Sequence, residues 1–401
     1  MDETPILKLN DMKGANTLAL LRVLLRRDGM SRVELARASR CDNTTVTRAV
    51  RDLLSRGVIT HAGRKDLAHG RPRELLALAP DGPLLLGVAL EPDRIVAVLT
   101  DLRGTVRHQA EATPDGPGDC RRYLNELETL IRQLTDAAGR LPAGAGVALF
   151  GSFGVGGRLE TVSSFPELAN FDFPAWFKER FAFPVALCDT LIARMYHELY
   201  RHPESAAGKL MLISSGSSGI GMALAENGEL RFSDDLHGGE LGHNICEPEG
   251  LSCACGRRGC LETRASRRAW LETVRTACGM PRLEFAEAAK RCQTGDPAVM
   301  AATATTIRFL GTAIANQVNN LMVDKVVLTG SMMELGEPFH AALEAIARGL
   351  LFPAIDRRLQ MVFRRGEEES GAVGAALVAA EPLLRDFTIF RAAVPVLTPA
   401  K

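Results

Sequence analysis

The chain has 401 residues with 48 basic and 48 acidic side chains, so its overall charge favours no nucleic-acid, membrane or acidic partner. Its length allows two or three domains with sizeable cores. Nine cysteines, an odd number spread unevenly, argue against a disulfide framework. The polar start, residues 1–13, is unlike a signal peptide, and no apolar run is expected to span a bilayer. We therefore expect a soluble, cytoplasmic protein with no membrane partner.

The first 80 residues predict a separate helical unit. Apolar side chains at helical spacing indicate a first helix over residues 17–27, ending at Gly29. Ser31 and Glu34 have the spacing of a capping box, which opens a second helix. Asp42 is placed to cap a third helix over residues 43–56, whose apolar face would turn inward.

A helix, a short turn and a further helix that begins with Asn and Thr are typical of a helix-turn-helix. Side chains at the starts of such helices meet base edges and phosphates in the major groove. The alternative is a small helical bundle with a solvated basic face. The predicted DNA-contacting residues of the helices are Ser31, Arg32, Asn43, Thr44, Thr45, Thr47, Arg48 and Arg51.

A basic loop between two short strands, residues 57–60 and 74–78, predicts a wing beside these helices. In this loop, Arg71 of the Gly-Arg-Pro sequence 70–72 could reach a minor groove or the phosphate backbone. A turn at Asp81-Gly82-Pro83 follows, so the DNA-binding domain is predicted to span residues 1–80.

The remaining residues, 81–401, predict an α/β body with a faint internal repeat. Strands over residues 84–90, 94–99 and 105–106 have counterparts over residues 209–214, 221–225 and 229–230. Each set precedes helical stretches and a further strand, over residues 146–150 and 325–329 respectively. Two similar halves would leave a ligand cleft between them.

Residues 238–262 combine cysteines, a histidine and carboxylates at close spacing. Cys253, Cys255 and Cys260 lie within eight residues, and His243 lies ten residues upstream of the first. One imidazole and three thiolates suit a closed tetrahedral zinc site. Glu240 and Glu262 flank the cluster, so a bound metal could fix two carboxylates for a polyhydroxylated ligand. The alternative is a set of ordinary buried thiols.

The body resembles the ROK family of repressors, open reading frames and sugar kinases, and with its N-terminal winged helix the chain resembles the repressor branch over nearly its full length. The residues that carry the resemblance are the Gly-Glu-Leu-Gly-His run 239–243, the cysteine run 253–262, the Gly-Arg-Pro sequence 70–72 and the glycine-rich run 371–376. The segment 31–48 matches the branch as well, although Arg40 replaces its usual turn glycine. The resemblance implies an actin-like (ribonuclease H-like) fold, with one lobe over about 81–200 plus the C-terminal helix and a second over about 201–370.

The resemblance also implies which residues form the sites. Zn²⁺ would be held by His243, Cys253, Cys255 and Cys260. A sugar would be contacted by Asp189, Glu240, His243 and Glu262, with Asn170 as a further candidate. Cys188 and Leu191 stand where the family usually has asparagines, which removes hydrogen-bonding groups from the cleft. For Asp189 the alternative is a solvent-facing loop carboxylate.

Kinases of the family carry an Asp-x-Gly-Gly-Thr hairpin near the start of the body, and this chain lacks it. The equivalent residues run Ala89-Leu-Glu-Pro-Asp93. Pro92 has no N–H to donate, and the carboxylates of Glu91 and Asp93 would repel a phosphate. The glycine loop 216–221 is retained, but one such loop is weak support for nucleotide binding. We therefore expect no enzymatic activity.

These features predict a repressor that forms a homodimer or homotetramer, binds a double-stranded DNA operator and responds to a sugar or sugar phosphate. The sugar would change operator affinity by binding differently to two arrangements of the lobes. The alternatives are an ATP-dependent sugar kinase and a DNA-binding protein that needs no ligand.

Overall fold

The computed structural model describes residues 9–27, 29–66, 72–114, 120–153, 159–161, 166–231, 238–366 and 369–385. Arg71, most of the predicted wing loop around it and the apolar tail 387–399 lie outside the described residues. The domain boundary near residue 80 stays a prediction.

The N-terminal region contains three helices followed by two paired strands. They are α1 (Leu9–Arg26), α2 (Arg32–Ser39), α3 (Asn43–Ser55), β1 (Ile59–Lys65) and β2 (Arg73–Leu78). The predicted capping box is confirmed: the Glu34 amide donates to Ser31 Oγ, and the Ser31 amide donates to the Glu34 carboxylate at 2.9 Å. Asp42 caps α3 as expected. The helices and the antiparallel β1–β2 pair have the architecture of a winged helix-turn-helix.

The turn between α2 and α3 shows why the family's glycine can be replaced. Arg40 ends α2 with φ 57° and ψ 26°, the left-handed conformation that glycine adopts without strain. The turn geometry is therefore kept, at the energetic cost of a side chain in a disfavoured backbone conformation.

The α/β body has two lobes, and each described lobe is built on a five-stranded sheet. Lobe one, which follows the N-terminal region, contains β3 (Leu85–Glu91), β4 (Arg94–Thr100), β5 (Val106–Ala112), α4 (Cys120–Ala138), β6 (Gly144–Leu149), β7 (Ser152–Phe153), β8 (Leu159–Thr161), α5 (Phe173–Arg180), β9 (Val185–Asp189) and α6 (Thr190–Arg201). Its sheet has the strand order β5-β4-β3-β6-β9, while β7 and β8 pair separately.

Lobe two contains β10 (Lys209–Gly216), β11 (Gly219–Glu226), β12 (Glu229–Arg231), α7 (Glu262–Ala265), α8 (Arg267–Cys278), α9 (Phe285–Gln293), α10 (Pro297–Leu321), β13 (Lys325–Thr329), α11 (Glu337–Gly349), α12 (Pro353–Asp356) and β14 (Gln360–Phe363). Its sheet has the order β12-β11-β10-β13-β14. Because the two sheets share one order of antiparallel and parallel neighbours, the predicted internal repeat is confirmed.

Helix α10 corrects one expectation from the sequence. By length and composition this apolar helix could cross a membrane, although no run was expected to reach that length. Half of its most apolar window is buried inside the protein. Residues such as Ile307, Leu310 and Ile314 pack into the core of lobe two beside Trp270. The apolar composition of α10 therefore reflects core packing.

The C-terminal helix α13 (Ser370–Arg385) closes the chain back onto lobe one. It packs against β3, β6 and α6 at glycines that allow backbone contact. A Cβ added at Gly374 would lie 1.7 Å from the Ala193 carbonyl oxygen of α6, and one added at Gly146 would lie 1.8 Å from the Ala375 oxygen. No side-chain movement could relieve these collisions, so α13 and α6 form one tightly packed block.

Replacing Gly374 with alanine should therefore destabilise the whole body. We expect a loss of at least about 2–3 kcal/mol in the free energy of unfolding, because the helices must separate to admit a methyl group. Chemical denaturation measures this loss. Ala379→Gly, in the same helix, is the control, with an expected loss of about 1–2 kcal/mol from helix propensity and the loss of one buried methyl group. Equal losses in the two variants would contradict the close helix contact.

The core of the N-terminal region continues into the body. Leu18, Leu21 and Leu24 of α1 belong to the same buried cluster as Ala380 and Leu383 of α13. The buried side of the N-terminal helices therefore packs against lobe one.

Candidate functional site

Asp189 lies where β9 ends and α6 begins. Its carboxylate caps α6 by accepting the N–H of Leu191, and its side chain is almost fully buried. Burial, with a smaller contribution from the charge of Glu240, raises the pKa of Asp189 to about 7. The alternative of a solvent-facing loop carboxylate is therefore wrong.

The structure brings four of the predicted sugar-contacting residues together. Asp189 is close enough to Glu240 for the two charges to interact, and a Glu240 carboxylate oxygen lies 3.9 Å from Nε2 of His243. Glu262 in turn interacts electrostatically with His243. Acceptors at these positions could receive hydrogen bonds from several hydroxyl groups of one ligand.

Glu262 reaches this group through space left by glycines. Its carboxylate accepts the N–H of Ile220 at 3.0 Å, and burial raises its pKa. A Cβ added at Gly242 would lie 2.6 Å from a Glu262 oxygen, and one added at Gly219, where φ is +115°, would lie 3.1 Å away. Glycines at these positions thus leave room for the carboxylate.

Three further positions are placed differently from these four residues: Asn170, Cys188 and Leu191. Asn170 is exposed and has φ 61°, and no contact among the described residues joins it to the cleft carboxylates. Cys188 is fully buried in the lobe-one core. Leu191 packs against Gly221 and Gly238 of lobe two, so close that a Cβ on either glycine would lie within about 2.5 Å of its Cδ1. Leu191 is therefore an apolar contact between the lobes.

His243, Cys253, Cys255 and Cys260 form one compact cluster, with their ligand atoms within 4.8 Å of one another. Nδ1 of His243 lies 3.7 Å from Sγ of Cys253, and the sulfurs of Cys255 and Cys260 are also 3.7 Å apart. A tetrahedral ion with bonds of about 2.3 Å to sulfur separates its sulfur ligands by about 3.8 Å. The four residues therefore fit a metal ion.

The loop that carries the cysteines changes the pKa values of two of their thiols. Burial opposes ionisation of the Cys255 thiol, but hydrogen bonds from Arg257 outweigh it and lower its pKa to about 6. Burial and the neighbouring sulfurs raise the pKa of Cys260 to about 12. Metal binding to such thiols requires that they lose their protons, so it depends on pH. Sequence reasoning did not single out Arg257, whose role depends on how the loop folds.

The predicted DNA-contacting side chains fall into two groups. Arg48 and Arg51 are exposed on α3 and form no ion pair within the described part of the chain. Arg32 borders a depression with Arg64 and Arg73 of the paired strands. Exposed polar residues beside them on α3 are Asn43, Thr44 and Thr47.

Two of the predicted DNA contacts have structural roles. Ser31 is 2% exposed, and its hydroxyl is engaged by Glu34 in the capping box. Thr45 is half-buried, and its hydroxyl donates to the Asp42 carboxylate at 2.6 Å. Both side chains are therefore committed to helix caps.

Comparisons with known proteins agree with this architecture. The ROK family model matches residues 85–381. The xylose repressor of Bacillus subtilis (strain 168) is 24% identical over 328 residues, covering 80% of this chain and 84% of the repressor. A crystal structure of a ROK family transcriptional regulator, a homologue of the E. coli MLC protein, superposes with a TM-score of 0.78 at 21% identity, covering 95% of this chain and 100% of that chain.

A ROK family glucokinase from Streptomyces griseus, solved with glucose and AMPPNP, has a TM-score of 0.67 at 18% identity, covering 74% of this chain and 99% of that chain. The structural likenesses establish the shared fold. Since the family model spans well over half of the sequence, this protein belongs to the ROK family.

Proposed function

We propose that this protein is a sugar-responsive transcriptional repressor. The observation that carries the proposal is the continuous core between a winged helix-turn-helix and the α/β body. In that body Asp189 interacts electrostatically with Glu240, and His243 with both Glu240 and Glu262. Similarity to a xylose repressor over most of both chains supports it. The protein would act in the cytoplasm, where its operator DNA lies.

Operator binding would depend on the exposed face of α3. Arg48 and Arg51 would contact phosphates or guanines, and Asn43, Thr44 and Thr47 would face base edges. Arg32 would contribute from the start of α2, and Arg71 from the predicted wing. A homodimer or homotetramer would place two such helices on the two halves of an operator.

The effector would be a neutral sugar or a sugar phosphate whose hydroxyl groups donate hydrogen bonds to Asp189, Glu240 and Glu262. We propose xylose as the first compound to test, because the Bacillus relative is named for it. Asn170 would join the site only if the loop that carries it approaches the bound sugar. Zn²⁺ at His243 and the three cysteines would hold the segments that carry Glu240 and Glu262.

A sugar kinase is the alternative function, and its support is the fold shared with a glucokinase. The β3–β4 hairpin opposes it. Pro92 offers no N–H, and the Glu91 carboxylate already pairs with Arg194 at 2.8 Å. Phosphate binding there would bring like charges together, so we expect neither ATP hydrolysis nor sugar phosphorylation.

Replacing Arg48 with alanine should weaken operator binding by about tenfold and reduce its salt dependence. Fluorescence anisotropy with a DNA sequence selected in vitro measures both, with and without each sugar of a panel of pentoses, hexoses and their 6-phosphates. Arg358→Ala, on the surface of lobe two, is the matched control and should bind DNA normally.

Unchanged DNA affinity in the Arg48 variant would contradict the assignment of α3. If wild-type protein bound DNA but no sugar altered its affinity, the ligand-independent alternative would replace the sensor.

A further inference from the structure

The β3–β4 hairpin, where family kinases have a phosphate loop, is held from several sides in this chain. The hydroxyl of the buried Tyr123 on α4 donates to the backbone carbonyl of Glu91 at 3.0 Å. Glu91 pairs with Arg94 across the end of the hairpin. The turn is thereby fixed on lobe one, with two acidic side chains projecting from it.

The Glu91 side chain is engaged by two elements, and a third element holds its arginine partner. Nη2 of Arg194, on α6, lies 2.8 Å from Oε1 of Glu91, and the two side chains are 8% and 19% exposed. Nη1 of Arg194 donates to the hydroxyl of Ser370 at the start of α13, at 2.9 Å. Ser217, in the glycine loop of lobe two, donates to Oε2 of Glu91 at 3.4 Å. Glu91 therefore links lobe one to lobe two.

Asp93 makes a second connection between the lobes. Its carboxylate lies 2.8 Å from Nη1 of Arg267, the first residue of α8 in lobe two. The Arg267 guanidinium also lies over the Phe285 ring, 4.1 Å from its centre. This stacking restricts the conformations of the Arg267 side chain independently of Asp93. The ion pair therefore costs less side-chain entropy.

We propose that Glu91 and Asp93 form an interlobe clasp that stabilises the lobe arrangement seen here, with Arg194 as its positioning residue. The clasp rests on the proposed sensor function, since it sets the equilibrium on which the effector acts. Carboxylates that are incompatible with a nucleotide thus serve to hold the lobes together. Whichever ligand, DNA or sugar, prefers the clasped arrangement binds more tightly while the clasp is intact.

Two helices connect the clasp with the DNA-binding region. Helix α13 begins at Ser370 beside Arg194, and its residues Ala380 and Leu383 pack in the core shared with α1. Helix α6 is capped by Asp189, a residue of the proposed effector site, and carries Arg194 about one turn later. Near its end lies Tyr200, which packs against the same core. Since the two helices are in backbone contact at Gly374, they would move as one block.

The test compares Asp93→Asn, Arg267→Gln and the double variant, with Glu91→Gln as a second approach. Glu128→Gln is the matched control, because its partners Arg132 and Arg180 both belong to lobe one. We measure the operator Kd, the Kd of the most effective sugar of the panel and amide hydrogen exchange in residues 216–219 of lobe two.

Each clasp variant should change both dissociation constants by about three- to tenfold. If the sugar weakens DNA binding in the wild type, the two constants should change in opposite directions; if it strengthens DNA binding, they should change in the same direction. The double variant should resemble either single variant, since both remove one ion pair. Exchange in residues 216–219 should accelerate.

Several results would overturn the clasp. They are additive effects in the double variant, wild-type constants in all clasp variants, or a loss of both affinities when the sugar weakens DNA binding in the wild type. If no sugar acts on the wild type, the proposed sensor function fails, and operator affinity and hydrogen exchange still decide whether the clasp exists. Unaltered exchange in residues 216–219 would then refute it.

Discussion

Replacing Cys260 with serine should remove the bound metal and with it most of the sugar response. Cys260 is fully buried, so the cluster cannot replace its sulfur with a group from the surface. Structural zinc sites contribute roughly 10–16 kcal/mol to the folding of small zinc-binding peptides. Losing even part of that free energy would loosen this loop. Elemental analysis of the purified protein measures zinc per chain, and calorimetry measures sugar binding.

The sugar response should fail because the metal ligands and the cleft carboxylates share one segment. Glu240 precedes His243 by three residues, and Glu262 follows Cys260 by two. When the loop loosens, both carboxylates lose their positions, and we expect sugar affinity to fall by about a hundredfold or more. DNA binding without sugar should change less, since α3 lies in a different part of the molecule.

Cys246→Ser is the matched control for the metal site. Cys246 is half-buried in the same segment and lies 3.4 Å from the carbonyl oxygen of Gly259, but it is not one of the four clustered ligands. The Cys246 variant should keep one zinc per chain. Full zinc occupancy in the Cys260 variant, or equal zinc loss in both, would remove Cys260 from the ligand set.

The parts of the structure that follow from local sequence were predictable. Ser31 and Glu34 specify their helix start within four residues, and the three cysteines of the metal cluster lie within eight. Strand β13, over Lys325–Thr329, has the predicted bounds because a short apolar run between polar residues has few alternatives. Such features depend on neighbours along the chain, which sequence patterns record directly.

Features that depend on distant contacts were not predictable. Arg194 and Glu91 are separated by 103 residues, and Arg267 and Asp93 by 174, so no spacing rule connects them. Asp93 and Glu91 were recognised as unsuitable for phosphate, but their partners appear only in the folded chain. Ser31 was assigned to DNA because its residue type suits either a helix cap or a phosphate contact, and only burial distinguishes them.

The burial of Asp189 was likewise not predictable from the sequence, and this side chain has two opposing effects on stability. Its carboxylate caps α6, which stabilises the helix, while its charge is held away from water, which destabilises the folded chain. Asparagine is about as good a helix cap as aspartate. Asp189→Asn therefore keeps the cap and removes the buried charge, so the variant separates the contribution of the charge from that of the hydrogen bond.

Asp189→Asn should raise the stability of the ligand-free protein and impair its response to sugar. The pKa of Asp189 is about 7 in the folded chain and 3.8 in its usual state, so the folded protein holds a proton that the unfolded chain has lost. Wild-type stability therefore falls as the pH rises from about 4 to 7 and is level above that, by at most about 4 kcal/mol. The asparagine variant lacks this loss, so its advantage in denaturation experiments should grow between pH 5 and pH 8.

The loss of sugar binding should accompany this gain, because a neutral amide accepts weaker hydrogen bonds than a carboxylate. One charged hydrogen bond contributes about 1.5–3 kcal/mol, which predicts roughly a ten- to hundredfold weaker sugar Kd at pH 8. Operator affinity without sugar should stay at the wild-type value. Thr190→Ser, at the neighbouring buried position, is a control that leaves the charge in place.

An Asp189→Asn variant less stable than wild type at pH 8 would show that the charge is compensated within the fold. Intact sugar binding in that variant would show that Asp189 serves the helix alone. A more stable protein with a lost response would instead identify Asp189 as a carboxylate kept in the core for its ligand, at the expense of stability.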